Sequence, residues 1–172
     1  MKDNWGILLL AIGFGFAGCR QADDPPAVNF KKLKPVFGSQ QVIDAIRSSV
    51  TVQAYRLAEE SFYELELSNY DRVGDSVGVA AADRVRMQKV LLDENSYELN
   101  SAKGCEPVFG VGLSFLTDKR TVDVLFCFQC DILVVYDNGK EVGGEDFDPV
   151  RPQLVAVMKN IFPGDDVIQQ LK

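Results

Sequence analysis

The residues of this chain whose type and spacing could do chemistry are three cysteines: Cys105, and the C-x-x-C pair in Cys127-Phe128-Gln129-Cys130. Three chemistries compete for them. A structural disulfide plus one buried thiol suits an oxidising compartment, where an odd cysteine is left over. A metal centre would draw on the three thiolates, with Asp131 or Glu106 as a fourth ligand. Zinc, however, usually takes paired cysteine knuckles or histidines, and the chain has no histidine. Thiol exchange would need a helix dipole at the C-x-x-C to lower the attacking pKa. Here Asp131-Ile132-Leu133-Val134-Val135-Tyr136 follows, an extended apolar run that sets an anion beside the thiol.

The hairpin expected around Thr117 and Arg120 ranks the pairings. If Thr117 faces Arg120, Cys130 faces Pro107 and Cys127 faces Gly110. Cys105 then stands two residues from the partner of Cys130 and five from that of Cys127. At roughly 3.3 Å per residue these offsets are near 7 Å and about 17 Å. A disulfide wants Cα atoms about 4.4–6.8 Å apart, so Cys105–Cys130 is the expected bond.

Other candidate groups have structural explanations beside the functional one. Glu141, Glu145, Asp146 and Asp148 could hold calcium, but the EF-hand spacing is absent, and helix capping by Asp146 or Asp148 accounts for part of the cluster. Glu59-Glu60 and Glu64 with Glu66 could form an acid–base pair, against a default of solvated carboxylates. Gly110-Val111-Gly112 falls in a strand, where glycine signals a bulge or close approach. Gly13 to Gly18 spells G-x-G-x-x-G with no preceding strand, so it is not a dinucleotide site. Phe109, Phe115, Phe126, Phe128 and Phe147 read as core. The missing histidine also removes Ser-His and Cys-His catalysis, leaving no specific hydrolase site.

The elements that must position these groups follow from periodicity. Ser39 caps a helix to Arg47, strands follow at about 50–57 and Tyr63–Leu67, and Asn69 to Gly78 is a loop. Ala80 to Leu92 is helical. Val108–Leu116, Thr121–Phe128, Ile132–Tyr136 and Lys140–Val142 form a meander, whose Asn138-Gly139 suits a type I′ turn. Asp148 caps a helix with Pro149 just inside it, and Asp165 starts a last short one. The expected fold is α+β: an antiparallel meander of four to six strands with helices on one face. At 172 residues, 47% of them apolar, the chain suits one ordinary domain. A net charge of −7 argues against a nucleic-acid partner, and no cofactor is implied.

The N-terminus reads as an address. Lys2 precedes an apolar run from Trp5 to Phe16, too short to span a bilayer but long enough for a signal-peptide core. Phe16-Ala17-Gly18-Cys19 resembles the lipobox of bacterial lipoproteins, with Phe16 where Leu is commonest. That resemblance implies cleavage after residue 18, a diacylglycerol and a fatty acyl (palmitate-type) chain on Cys19, and membrane attachment in the cell envelope. Residues 19–38 then form a flexible tether, with Asp23, Asp24, Pro25 and Pro26 as breakers. Lys31, Lys32 and Lys34, before Pro35, could rest on anionic lipid head groups, but three are few and a solvated linker is the expected state. Residues 39–172 form the domain.

The C-terminal region, through Val122-Asp123-Val124-Leu125-Phe126-Cys127-Phe128-Gln129-Cys130 and Gly139-Lys140-Glu141-Val142-Gly143-Gly144-Glu145-Asp146-Phe147-Asp148-Pro149, resembles a family of uncharacterised bacterial secreted or lipid-anchored proteins. The resemblance implies no activity. The expected role is non-enzymatic: a tethered, disulfide-stabilised module for an envelope protein or ligand. The alternative is a redox or zinc protein using Cys105, Cys127 and Cys130.

Overall fold

A computed structural model describes residues 28–58, 61–99 and 101–172. The expected signal segment, Cys19, residues 20–27 of the tether and the Glu59-Glu60 pair lie outside the described residues. Six antiparallel strands form one sheet: β1 (Thr51–Leu57), β2 (Arg72–Gly78), β3 (Val111–Leu116), β4 (Thr121–Cys127), β5 (Ile132–Asp137) and β6 (Lys140–Asp146), in spatial order β2-β1-β3-β4-β5-β6. Five helices accompany it: α1 (Phe30–Phe37), α2 (Gln40–Ser48), α3 (Ala81–Leu91), α4 (Arg151–Ile161) and α5 (Asp166–Gln169). The fold is α+β, as the alternation of the sequence leads one to expect.

Period-2 patterning explains the sheet. Val122, Val124 and Phe126 point to one face with Val111, Leu113 and Phe115, and the helices bury that face. Thr117 N–H donates to the Arg120 carbonyl at 3.0 Å, and Leu116 pairs with Thr121, the hairpin register expected above. Asn138 and Gly139 both take positive φ (49° and 86°) in the tight turn to β6. The Ser39 hydroxyl accepts from Val42 N–H at 3.3 Å and starts α2, whose Val42, Ile43, Ala45 and Ile46 form its buried stripe. Asp165 caps α5 through Ile168 N–H.

Four local readings need correction. Residues 30–37 are helix, not tether: Leu33, Val36 and Phe37 are fully buried, while Lys31, Lys32 and Lys34 take the wet side. Pro35 sits inside this single short helix, because burial of three large side chains outweighs the missing backbone donor. The segment Tyr63–Leu67 is not a strand; it makes isolated bridges, Phe62 to Val108 and Glu66 to Lys140, then a 3-10 turn. The expected loop at Asn69–Gly78 contains β2, every residue of it exposed, on the outer edge of the sheet. Its register slips between Ala54 and Arg56 of β1, and Gly74 adopts a φ of 69° there. Such an irregular edge discourages pairing with another chain. Lastly, Asp148 and Pro149 open a 3-10 turn without a side-chain cap bond, and α4 begins only at Arg151.

The seat of α1 on β6 yields a direct test. A Cβ on Gly143 would fall 2.2 Å from the Pro35 carbonyl oxygen and 2.7 Å from that of Val36, both backbone. Gly143→Ala must therefore push α1 off the sheet and is expected to cost about 1–3 kcal/mol. Gly164→Ala, where nothing lies within 4 Å, is the matched control and should move the urea midpoint little. Equal midpoints for the two variants would refute close packing of α1.

Candidate functional site

The sheet's second face carries a smaller cluster. Tyr55, Leu57, Tyr70, Phe109, Leu125, Cys127, Cys130, Val134 and Tyr136 form it, with Cys105 packed at its margin. Cys105, Cys127 and Cys130 thus meet at one end of this face.

Cys127 ends β4, and a tight turn carries the chain to β5. Asp131 completes that turn with a φ of 57°, a left-handed conformation that Asp tolerates better than most residues. Arg151, the first residue of α4, clamps it: its guanidinium donates to the Phe128 carbonyl at 2.6 Å and to the Asp131 carboxylate. The clamp presents Cys130 toward the segment before β3. Cys105 and Cys130 stand at disulfide distance, with Cα atoms 6.0 Å apart. That is the pair the hairpin geometry favours. The separation is below the 7 Å of a straight ladder because β3 begins only at Val111, leaving residue 105 free to bend inward. Cys127 is a free thiol with no exposed surface, and its sulfur accepts from Cys130 N–H at 3.4 Å.

This arrangement does not assemble the expected metal ligand set. Two sulfurs are bonded to each other, Asp131 is held by Arg151, and Glu106 presents its carbonyl, 3.5 Å from the Cys130 sulfur. Nor do the C-x-x-C sulfurs pair with one another, and an extended strand follows them. The geometry is that of a brace between the loop before β3 and the turn after β4.

Beside the brace opens a cleft of about 320 Å³, lined among others by Tyr63, Lys103, Phe109, Glu141 and Asp146. Tyr63 donates to the Glu141 carboxylate; burial, this hydrogen bond and the neighbouring charge push its phenol up to about 12. Lys103 reaches the Cys130 carbonyl at 2.7 Å and ion-pairs with Asp148. The sequence reading did not single out Lys103, because a lone lysine in a loop carries no spacing signal. Of the acid–base candidates, Glu64 accepts from Asn69 at 3.3 Å, and the Glu66 backbone bridges to Lys140.

A buried polar group also escaped the sequence reading. Asp123 is 2% exposed and accepts from Tyr55 at 2.9 Å, from Ser114, and from Arg72 at 3.4 Å. Ser114 and Asp123 are direct cross-strand partners on one face; that pairing, available from the hairpin register, was the signal for it. Arg72 also lies over the Tyr55 ring, 3.6 Å from its centroid. Every donor is accounted for, so the group reads as a structural knot of the second face.

No helix among the described residues is long and apolar enough to cross a membrane. No protein-family model, curated protein or solved structure matches the chain.

Proposed function

We propose that the protein is a lipid-anchored envelope protein, tethered through Cys19, whose folded domain is a disulfide-braced binding or scaffold module and not an enzyme. The observation that carries this reading is the Cys105–Cys130 pair, which spans 25 residues and leaves Cys127 sealed beneath the second face. Such cross-links persist in oxidising compartments and are rare in reducing ones. The lipobox-like Phe16-Ala17-Gly18-Cys19 names the same compartment independently. The cleft beside the brace, with Tyr63, Glu141 and Lys103 at hand, offers polar and apolar contacts to a small ligand or a partner's side chain.

Non-reducing mass spectrometry of the membrane-extracted protein tests the reading. The expected product starts at Cys19, carries the mass of a diacylglyceryl and an acyl group, and yields a peptide linked through Cys105 and Cys130. Thiol titration should then find one reactive cysteine, Cys127, and only after denaturation. An unlipidated cytosolic chain with its leader intact overturns the anchor. Three titratable thiols with stoichiometric zinc overturn the brace and install the metal reading in its place.

A further inference from the structure

At the end of β6, one oxygen from each of Glu98, Asp146 and Asp148 lies within 4.8 Å of the other two. Two oxygens sharing a calcium ion at 2.3–2.6 Å can be no farther apart than about that distance. Acidic clusters are common, and a second observation separates this one from a solvated patch. Asp146 is 5% exposed, and its Oδ2 is buried without a hydrogen-bond partner. The nearest cation, the Lys103 ammonium, stands 3.7 Å from that oxygen, beyond hydrogen-bond reach. A buried carboxylate oxygen left so incompletely satisfied is costly. Helix capping, the expected use of Asp146 and Asp148, does not absorb it, since neither the 3-10 turn at Asp148–Val150 nor α4 has a side-chain cap bond.

Lys103 marks where positive charge is wanted. Its ammonium accumulates oxygens: the Cys130 carbonyl at 2.7 Å, the Asp148 carboxylate, and Asp146 farther off. Asp131 is engaged by Arg151. Three carboxylates against one ammonium leave the pocket with a surplus of negative charge, and the lysine side chain, 23% exposed, has solvent to swing into.

We propose that Glu98, Asp146 and Asp148, with the Cys130 carbonyl, form a binding site for a hard divalent cation of the calcium type, which displaces the Lys103 ammonium. The ligands are all oxygen, the donor set such ions take, and their loose spacing suits calcium better than magnesium, which demands a tight octahedron. Competition from a built-in lysine sets a weak affinity, in the range of roughly 10⁻⁴–10⁻³ M that extracellular calcium modules use. The site stands independently of the lipid anchor.

Calorimetric titration of the full-length protein with calcium chloride decides the matter. Wild type is expected to take one ion per chain, and Lys103→Met to bind it at least about tenfold tighter because the competing cation is gone. Asp146→Asn and Glu98→Gln should each weaken binding about tenfold or more. Glu98 is exposed, so its variant remains folded even if the Asp146 variant does not. Magnesium should bind wild type at least about tenfold more weakly than calcium. Absence of calcium binding up to about 10 mM in both wild type and Lys103→Met overturns the site. Binding that is indifferent to Glu98→Gln, or stronger for magnesium, overturns it equally.

Discussion

Replacing Asp123 by Ala is expected to cost about 2–4 kcal/mol, the largest effect of any single carboxylate in the domain. The carboxylate is enclosed by its own donors: Tyr55 and Ser114 lie buried around it, with Arg72 at the rim. Alanine leaves both hydroxyls without an acceptor, and each orphaned buried donor costs about 1–3 kcal/mol. Arg72 adds less, because its side chain is 42% exposed and can turn to water. Tyr55 cannot escape by ionising: burial first, then the adjacent Asp123 charge, push its phenol above its ordinary value of 10. Asp123→Asn, which keeps an acceptor for Tyr55, should lose about half as much. Adding Tyr55→Phe to Asp123→Ala should recover part of the loss, since one orphan is removed. Urea unfolding reads all three, with Asp118→Ala at the exposed hairpin turn expected to change stability by less than about 0.5 kcal/mol. A loss below about 1 kcal/mol for Asp123→Ala would mean that water replaces the carboxylate, and that the second face is less closed than described.

Removal of the cross-link by Cys105→Ser with Cys130→Ser is the second large effect. In the chain-entropy picture, a link spanning 25 residues restrains the unfolded ensemble by about 3.5 kcal/mol. For a domain of this size that corresponds to a melting temperature lower by roughly 10 °C. The denaturant slope should steepen as well, because the unlinked chain expands further on unfolding. Cys127→Ala is the informative contrast. It trims one buried sulfur, costs about 1 kcal/mol, and leaves the Cys105–Cys130 bond intact. Were Cys127→Ala to abolish that bond, the sulfurs would be exchanging among themselves, and the brace reading would fail. A double serine variant as stable as wild type would show that the sheet and the Arg151 clamp hold this end of the molecule alone.

How far the fold could be read in the residues varied along the chain for physical reasons. From Val111 to Asp146 the strands are short, apolar and rich in β-branched residues, and tight turns at Thr117–Arg120 and Asn138-Gly139 join them, so topology follows from local chemistry. Residues 30–37 defeated the same reasoning. Pro35 and three lysines speak for a linker locally, and only β6, reached more than a hundred residues later, supplies the surface that buries Leu33, Val36 and Phe37. The glycine at 143 that lets α1 approach carries no signal about what it approaches. At Arg72–Gly78 the residues are polar, glycine-rich and wholly exposed, and the strand exists because the open edge of β1 offers a backbone ladder to it. The expected strand at Tyr63–Leu67 alternates as a strand should. Yet this stretch crosses over the second face instead, where Tyr136 donates to the Glu64 carbonyl and the Tyr70 hydroxyl accepts from the Glu64 N–H.

By itself the sequence determined the fold class, the hairpin register and, through that register, which two cysteines come within reach of each other. These are consequences of short-range alternation and turn chemistry, which depend on neighbours along the chain. Tertiary structure alone decided that Asp123 is buried, that Arg151 holds Asp131, and that Glu98, Lys103, Asp146 and Asp148 converge. Burial and charge balance are set by what arrives from distant segments, and a residue's own neighbours in sequence carry no record of that arrival.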